Sequence, residues 1–319
     1  MNALHALRKR LPMAKVALAV DIGATKVALA LVDRDLAVHS KHELILGDST
    51  SEGLWKAIAG SARPMISGLN GNLLGVGIGS AGPLHLEIGA ISPVNIPIWR
   101  KYPIVEKFRE LSGSHNVVLH GDAMALAHAE HVLGAGRGSD NMLGVVVSTG
   151  VGGGLIIENK VFTGDTGNAS FIGHQTINFD GELCVCGRNG CVEVYASGPR
   201  MVAIAQSRGW SGGNTFVDLA ADARNGNVVA LTVIDEGARA LALGIINTLG
   251  NLDITTVVVG GGVTQAGDIY WEPLRRHVKN ESRYSGFLND IVLRPTELRR
   301  DAGLIGAALG VLDGNSVLV

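Results

Sequence analysis

The chain twice repeats one order of apolar and polar positions. Residues 16–33 read VALAV, DIGATK and VALALVD, and residues 143–162 read LGVVV, STGVGGG and LIIENKVF. An apolar run, a glycine-bearing turn and a second apolar run predict a strand, a tight turn and a returning strand. Two copies of this unit, separated by about 125 residues, predict a duplicated α/β architecture of two lobes.

Outside these units, the spacing of apolar residues predicts alternating helices and strands. Helices are expected at residues 51–67, 198–208, 231–249 and 303–312, strands at 73–79, 116–120 and 254–260, and a loop rich in proline and glycine before residue 99. We expect a small N-terminal lobe at residues 14–123, to which a helix at 300–319 returns, and a large lobe at residues 124–299.

Composition narrows the class of protein. The 319 residues suggest two domains at about 150 residues each, and 46% hydrophobic against 18% charged residues indicates a globular protein with a large core. The formal charge of -2 offers no basic field for nucleic acid or an anionic membrane. Residues 1–12 are basic but lead to no cleavage site, and no apolar run suits a membrane span, so we expect a cytoplasmic protein.

Glycine is the outlier, with 44 residues, and three glycine turns are candidate phosphate sites. A turn without side chains lets a polyphosphate approach the backbone N–H groups. The Asp21 carboxylate is a candidate for holding Mg²⁺ through water. The alternative is that each is only a tight turn, and the recurrence in two repeated units favours the phosphate sites. The candidate nucleotide-binding residues are Asp21, Gly23, Thr25, Lys26, Thr149, Gly150, Gly260, Gly261 and Gly262.

Asp122 is the candidate general base. It follows the predicted strand VVLH and opens the alanine-rich segment DAMALAHAEH. A carboxylate at the end of a buried strand can accept a hydroxyl proton while a phosphoryl group is transferred. Aspartate is also a common helix N-cap, and by itself this position favours the cap.

The cysteines suggest a metal site. Cys184, Cys186 and Cys191 lie within eight residues, and His174 precedes the first of them by ten. Three thiolates and one imidazole complete a tetrahedral structural Zn²⁺ site and leave no position for a catalytic water. Three free cysteines are the alternative to this set.

These motifs together resemble the ROK family of bacterial sugar kinases and sugar-responsive repressors. The resemblance rests on DIGATK, SAGP at residues 80–83, GDA at 121–123, STGVGGG, IGH at 172–174, CVCGRNGCVE at 184–193 and VVVGGGV. It implies an actin-like, ribonuclease-H-like ATPase fold of two lobes, with a zinc-binding loop in the larger one. It also implies ATP with Mg²⁺ as the phosphoryl donor, a sugar hydroxyl, usually on carbon six, as the acceptor, and a homodimer or homotetramer.

The resemblance assigns a role to individual residues. Asp122 is the base, His174 lies near the sugar and also on zinc, and Asp21, Thr25 and Thr149 surround the phosphates. The implied zinc ligands are His174, Cys184, Cys186 and Cys191. The expected substrate-binding residues are Gly82, Asn95, Asp122, Phe171, His174 and Glu193.

Two positions depart from the family pattern. Gly121 stands where the family usually has Asn, and Phe171 stands where it usually has Glu. Both missing side chains normally hydrogen-bond sugar hydroxyls, and such a loss costs about 1 to 3 kcal/mol. Because Phe171 offers apolar surface instead, we hypothesise an altered acceptor such as an N-acylhexosamine.

Rival functions are a repressor, a sugar-binding protein with weak or lost kinase activity, and a filament-forming or chaperone ATPase. A repressor would need a DNA-binding domain of about 60 residues or more ahead of Asp21, and the sequence has 20 there. The last class has no need of the zinc loop. The retained Asp122 and phosphate turns favour an active kinase over a sugar-binding protein. The sequence leaves open the sugar, the pathway, the oligomeric state and whether translation starts at Met1 or Met13.

Overall fold

The computed structural model describes residues 15–23, 25–47 and 50–313. In this part of the chain, helices pack against two five-stranded sheets. Both candidate start methionines, residue 14 of the predicted small lobe, residues 314–319 of the returning helix and Ala24 of the first glycine turn lie outside the described residues.

The first sheet is built around the N-terminal apolar runs. Its strands are β1 (Val16–Ile22), β2 (Lys26–Asp33), β3 (Val38–Ile45), β4 (Leu73–Ser80) and β7 (Val117–Gly121), in the order β3-β2-β1-β4-β7. β1 is antiparallel to β2 and parallel to β4, which is parallel to β7. Since β1 is covered on both faces, its apolar residues run almost without interruption.

The second sheet repeats this topology. Its strands are β8 (Met142–Val147), β9 (Val151–Ile157), β10 (Lys160–Phe162), β11 (Thr256–Gly260) and β12 (Val292–Pro295), in the order β10-β9-β8-β11-β12. β8 is antiparallel to β9 and parallel to β11, as β1 is to β2 and β4. The predicted duplication is therefore confirmed. A small hairpin of β5 (Leu84–His85) and β6 (Ala90–Ile91) stands apart from both sheets.

Among the described α-helices, α1, α6 and α7 begin at a side-chain cap. Thr50 accepts a hydrogen bond from Gly53 N at the start of α1, and Thr215 and Asp218 form a capping box on α6. None of the described helices is both long and apolar enough to cross a membrane. The described helices are α1 (Ser51–Ser67), α2 (Ile104–Ser112), α3 (Asp122–Val132), α4 (Glu193–Ala196), α5 (Gly198–Ser207), α6 (Phe216–Arg224), α7 (Val228–Leu252), α8 (Asp268–Ser282) and α9 (Ala302–Leu312).

α9 lies between the first sheet and α3. A Cβ at Gly77 of β4 would overlap the Ala307 carbonyl, and a Cβ at Gly306 would overlap the Ala125 carbonyl. The backbones therefore touch on both sides of α9. The returning C-terminal helix packs on the first sheet as expected, while α3 contacts strands of both sheets. The lobe boundary between residues 123 and 124 stays a prediction.

Several predicted bounds needed correction. The second glycine turn is shorter than predicted, because β9 begins at Val151. Its residues Gly152, Gly153 and Gly154 are already paired with β8. The segment at 155–162 is divided between β9 and β10 rather than forming one strand. α7 runs from Val228 to Leu252, beyond the predicted 231–249 at both ends. The sequence pattern missed β3, α2, α6, α8 and β12.

Candidate active site

Two carboxylates meet at one edge of the first sheet. Asp21 lies near the end of β1, and Asp122 follows β7 as the first residue of α3. β4 lies between these two parallel strands, and its Gly79 is paired with Asp21. A Cβ at Gly79 would lie 3.9 Å from Asp21 Oδ1 and 3.8 Å from Asp122 Cα. The absence of a side chain at this glycine keeps the space between the two aspartates open.

Burial disfavours the charged form of both aspartates. The pKa of Asp21 is raised to about 7, first by burial and then by the charge of Asp122, while Lys26 and Lys41 oppose the shift. Burial also raises the pKa of Asp122, although a hydrogen bond from Ala123 N to Oδ1 at 2.8 Å opposes this. A raised pKa brings a carboxylate closer to the range in which it exchanges protons near neutral pH.

Two helices begin at the carboxylates. Asp122 is in the first turn of α3, and a Cβ at Gly303 in the first turn of α9 would lie 2.6 Å from Asp21 Oδ2. The free N–H groups and positive dipole ends of both helices thus face the site, an arrangement that favours anions. Asp122 is not the N-cap of α3, because Gly121 occupies that position and Asp122 lies one residue inside the helix.

The start of β9, directly after the second glycine turn, reaches Asp122 from the other sheet. A Cβ at Gly152 would lie 4.0 Å from Asp122 Oδ1. Next to it, Glu193 Oε2 accepts a hydrogen bond from Val151 N at 2.8 Å, and a Cβ at Gly150 would lie 2.6 Å from the same oxygen. The glycines therefore let Asp122 and Glu193 approach the second turn and the start of β9.

The third glycine turn abuts the second. Gly261 has φ of 103°, and a Cβ there would overlap the Val147 carbonyl, so glycine is required. A Cβ at Gly262 would lie 3.2 Å from Ser148 Oγ, whereas Gly260 faces Thr296. Thr149, between these turns, is exposed. The second sheet thus brings two of the three predicted phosphate turns together.

The first glycine turn is closed by its own backbone. Gly23 N donates to the Lys26 carbonyl at 3.0 Å, and the side chain of Thr25 is exposed. Lys26 Nζ lies 2.9 Å from Glu43 Oε1. This predicted phosphate ligand is therefore engaged in an ion pair on β3, a partner that the sequence pattern did not reveal.

Three of the residues predicted to contact the sugar, Gly82, Phe171 and His174, lie next to one another. A Cβ at Gly82 would lie 3.3 Å from Phe171 Cε2, and the Phe171 ring lies 4.7 Å from the His174 ring, centroid to centroid. Phe171 is 43% exposed. Val94 N donates to the Gly82 carbonyl at 3.2 Å, which holds the exposed Asn95 near this loop.

The His and Cys residues form one cluster. The ligand atoms of His174, Cys184, Cys186 and Cys191 all lie within 4.8 Å of one another. Cys186 Sγ is 3.6 Å from Cys191 Sγ, and Cys184 Sγ is 3.4 Å from His174 Nδ1. Zn–S bonds of about 2.3 Å at tetrahedral angles place sulfurs about 3.8 Å apart, so the set fits Zn²⁺.

Sequence reasoning missed Asn168, whose side chain contacts the loop that carries Gly82. It accepts a hydrogen bond from Leu84 N at 2.8 Å and donates one to Leu84 O at 3.0 Å. No local motif marks an asparagine whose partner lies 84 residues away. The sequence of β10, which precedes Asn168, does not indicate this contact either.

Comparison with known proteins identifies relatives along the whole length. The model of the ROK family matches residues 17–313. A glucokinase from Streptomyces coelicolor is 32% identical over 305 residues, which cover 91% of this chain and 95% of that enzyme. An N-acetylmannosamine kinase from Citrobacter koseri is 34% identical over 294 residues, covering 92% and 97%. The structure of a ROK family glucokinase from Streptomyces griseus in complex with glucose and AMPPNP has a TM-score of 0.78 and 32% identity, covering 92% of this chain and 98% of that one. The predicted fold class is confirmed by this likeness.

Proposed function

Because the chain belongs to the ROK family, we propose that it is an ATP-dependent sugar kinase that transfers the γ-phosphoryl group to a sugar hydroxyl, the one on carbon six. The observation that carries this is the position of Asp122, at the start of α3 and within 4.0 Å of the Cβ positions of Gly79 in the first sheet and Gly152 in the second. The names of the relatives, glucokinase and N-acetylmannosamine kinase, support the same class of reaction.

Asp122 is the general base of this reaction. One of its oxygens is held by Ala123 N, which leaves the other to accept the proton of the attacking hydroxyl. In phosphoryl transfer the protein contributes mainly positioning and electrostatic stabilisation. The N-terminal N–H groups of α3 and α9 face the developing negative charge, and the glycine turns allow the phosphates close to the backbone.

ATP and Mg²⁺ are the cofactors we propose. The Asp21 carboxylate has no hydrogen-bond donor among the described residues, and it lies where two helices begin. A hard cation prefers such an oxygen and usually retains several waters. Bound there, Mg²⁺ would neutralise phosphate charge. The proposed nucleotide contacts are Gly23, Thr25, Lys26, Thr149, Gly150, Gly260, Gly261 and Gly262.

Zn²⁺ is proposed as a structural ion in the Cys₃His cluster. Cys191 precedes Glu193 by two residues, and Val192 N donates to the Gln175 carbonyl at 3.0 Å, next to His174. The cluster therefore orders the segment that supplies Glu193 to the second glycine turn. With all four ligands provided by protein, its contribution is folding free energy rather than chemistry.

We propose an N-acylhexosamine as the preferred acceptor, bound by Gly82, Asn95, Asp122, Phe171, His174 and Glu193. Phe171 lies over Gly82 and presents partly exposed apolar surface where a methyl group of an acyl substituent gains contact. Gly121, with the neighbouring Met124 side chain 3.6 Å from its Cβ position, adds no polar group. A sugar with only hydroxyls therefore leaves polar groups unpaired on this side.

The test is ATP turnover with a panel that includes glucose and N-acetylmannosamine, for wild type and Asp122→Ala. We expect a sugar-dependent rate that falls by about 10²-fold or more in the variant, with sugar binding by calorimetry weakened far less than turnover. Sugar binding without turnover in the wild type would favour the alternative of a sugar-binding ROK protein. The highest efficiency with glucose would refute the proposed acceptor.

A further inference from the structure

One side chain joins the loop at residues 163–171 to the hairpin of β5 and β6. Asn168 uses both ends of its amide, with Oδ1 accepting from Leu84 N at 2.8 Å and Nδ2 donating to Leu84 O at 3.0 Å. The same Nδ2 group donates to the Thr166 carbonyl at 3.1 Å. The amide thus has a partner at each end, and it bridges segments that follow strands of different sheets.

The 163–171 loop contains one residue other than glycine, Ser170, with an unfavourable backbone conformation. Gly164, Gly167 and Ser170 have φ of 69°, 82° and 61°, all in the left-handed region. A serine in this region is held by its surroundings, because the conformation is unfavourable for a residue with a side chain. Inside the loop, Ala169 N donates to the Thr163 carbonyl and Asn168 Nδ2 donates to Thr166, and the hydrogen bonds with Leu84 tie the loop to the hairpin.

The bridge, meaning the two hydrogen bonds between Asn168 and Leu84, lies beside the proposed acceptor position. Leu84 is two residues from Gly82, and Asn168 is three residues from Phe171, whose ring lies over Gly82. Asn168 Oδ1 itself would lie 3.6 Å from a Cβ at Gly82. The hydrogen bonds of the Asn168 side chain among the described residues go to Leu84 and Thr166, not to the glycine turns of the second sheet.

We propose that Asn168 is a positioning residue that fixes Phe171 against Gly82 and thereby sets the affinity and selectivity for the acceptor sugar. This rests on the proposed kinase function. Asn168 makes no contact with a reacting group, and it acts through the loop that carries Phe171. Loss of its amide removes the hydrogen bonds that tie the loop to Leu84, so the apolar surface for the acyl group is no longer held in place.

The test compares Asn168→Ala and Asn168→Asp with the wild type. Two ordinary hydrogen bonds correspond to a change of about tenfold or more, so Asn168→Ala should raise the KM for N-acetylmannosamine by about that factor. The KM for ATP should stay within about twofold. Asn168→Asp keeps the shape of the side chain but places a carboxylate against the Leu84 carbonyl, so it should be as impaired as the alanine variant. A role in packing alone would tolerate aspartate.

Hydrogen exchange gives a readout that needs no catalysis. In sugar-free protein, backbone amides at residues 84–91 and 163–171 should exchange faster in Asn168→Ala. Asn141→Ala is the matched control, because Asn141 Oδ1 accepts from Glu158 N within the second sheet. A wild-type sugar KM in an active Asn168→Ala, or unchanged exchange in both loops, would overturn the inference. Absence of turnover with every sugar in the wild type would instead overturn the proposed function, and the acceptor role with it.

Discussion

Replacement of Asp21 by asparagine should make the protein more stable at alkaline pH. The carboxyl has a pKa of about 7 in the folded protein against an ordinary value of 3.8, first because of burial and then because of Asp122. The folded state therefore holds the proton more tightly than the unfolded chain does. Stability of the wild type is greatest below the unfolded pKa and falls as pH rises through the folded pKa. An asparagine has no proton to lose.

The size of the effect follows from the two pKa values. Linkage gives a penalty on the wild type of about 1.5 kcal/mol at pH 5 and about 4 kcal/mol at pH 8. Asp21→Asn should therefore gain about 2.5 kcal/mol relative to the wild type between pH 5 and pH 8, and it should lose activity because Asp21 is the proposed cation ligand.

The assay is urea unfolding at constant ionic strength, without added magnesium or nucleotide, at several pH values between 5 and 8. Asp33→Asn is the control of opposite sign. Burial alone would raise the pKa of Asp33, but hydrogen bonds from His39 and from the backbone N–H groups of Ala37 and Asp35 lower it. That variant should therefore lose stability above about pH 4. If Asp21→Asn is no more stable than the wild type at pH 8, the argument from burial is wrong.

Three further results are expected. Chelation of zinc, or Cys186→Ser, should remove one equivalent of metal and lower Tm by about 5 °C or more, which metal analysis and scanning fluorimetry would measure; an unchanged Tm on loss of metal would contradict a structural site. Phe171→Glu should raise the efficiency with glucose relative to N-acetylmannosamine by about tenfold or more in steady-state kinetics, and an unchanged ratio would exclude Phe171 from acceptor selection. Gly306→Ala should destabilise by about 1 to 3 kcal/mol because its methyl group overlaps the Ala125 carbonyl, whereas Gly60→Ala, in open space on α1, should stabilise by up to about 1 kcal/mol in the same urea experiment.

The sequence alone predicts the strands that are buried on both faces and the helices that bury one regular stripe of apolar side chains. β1 and β2 are nearly continuous apolar runs, and α1 has the predicted bounds of residues 51 and 67. β3 was missed because it is an edge strand with mostly exposed polar residues, and edge strands need no apolar alternation. α8 was missed because Pro273 and many charged residues interrupt its apolar stripe.

The residue types of the candidate site could be predicted from the sequence, but their contacts with one another could not. Glycine turns, Asp122 and the spacing of the cysteines are visible in the sequence because the chemistry depends on local order. The meeting of Asp21 with Asp122, the ion pair of Lys26 with Glu43 and the bridge from Asn168 to Leu84 depend on strand order and loop shape. These contacts join positions far apart in the chain, so spacing carries no information about them.

The contact of α9 with β4 and α3 limits how this protein can acquire a new substrate. Where Gly77 and Gly306 let main chain rest on main chain, no methyl group can be added without pushing the carboxylate-bearing elements apart. Diversification is therefore confined to the rim, where the 163–171 loop and the segment around Gly82 are partly exposed. A directed-evolution library for other sugars is best restricted to those two segments, with the interior left as it is.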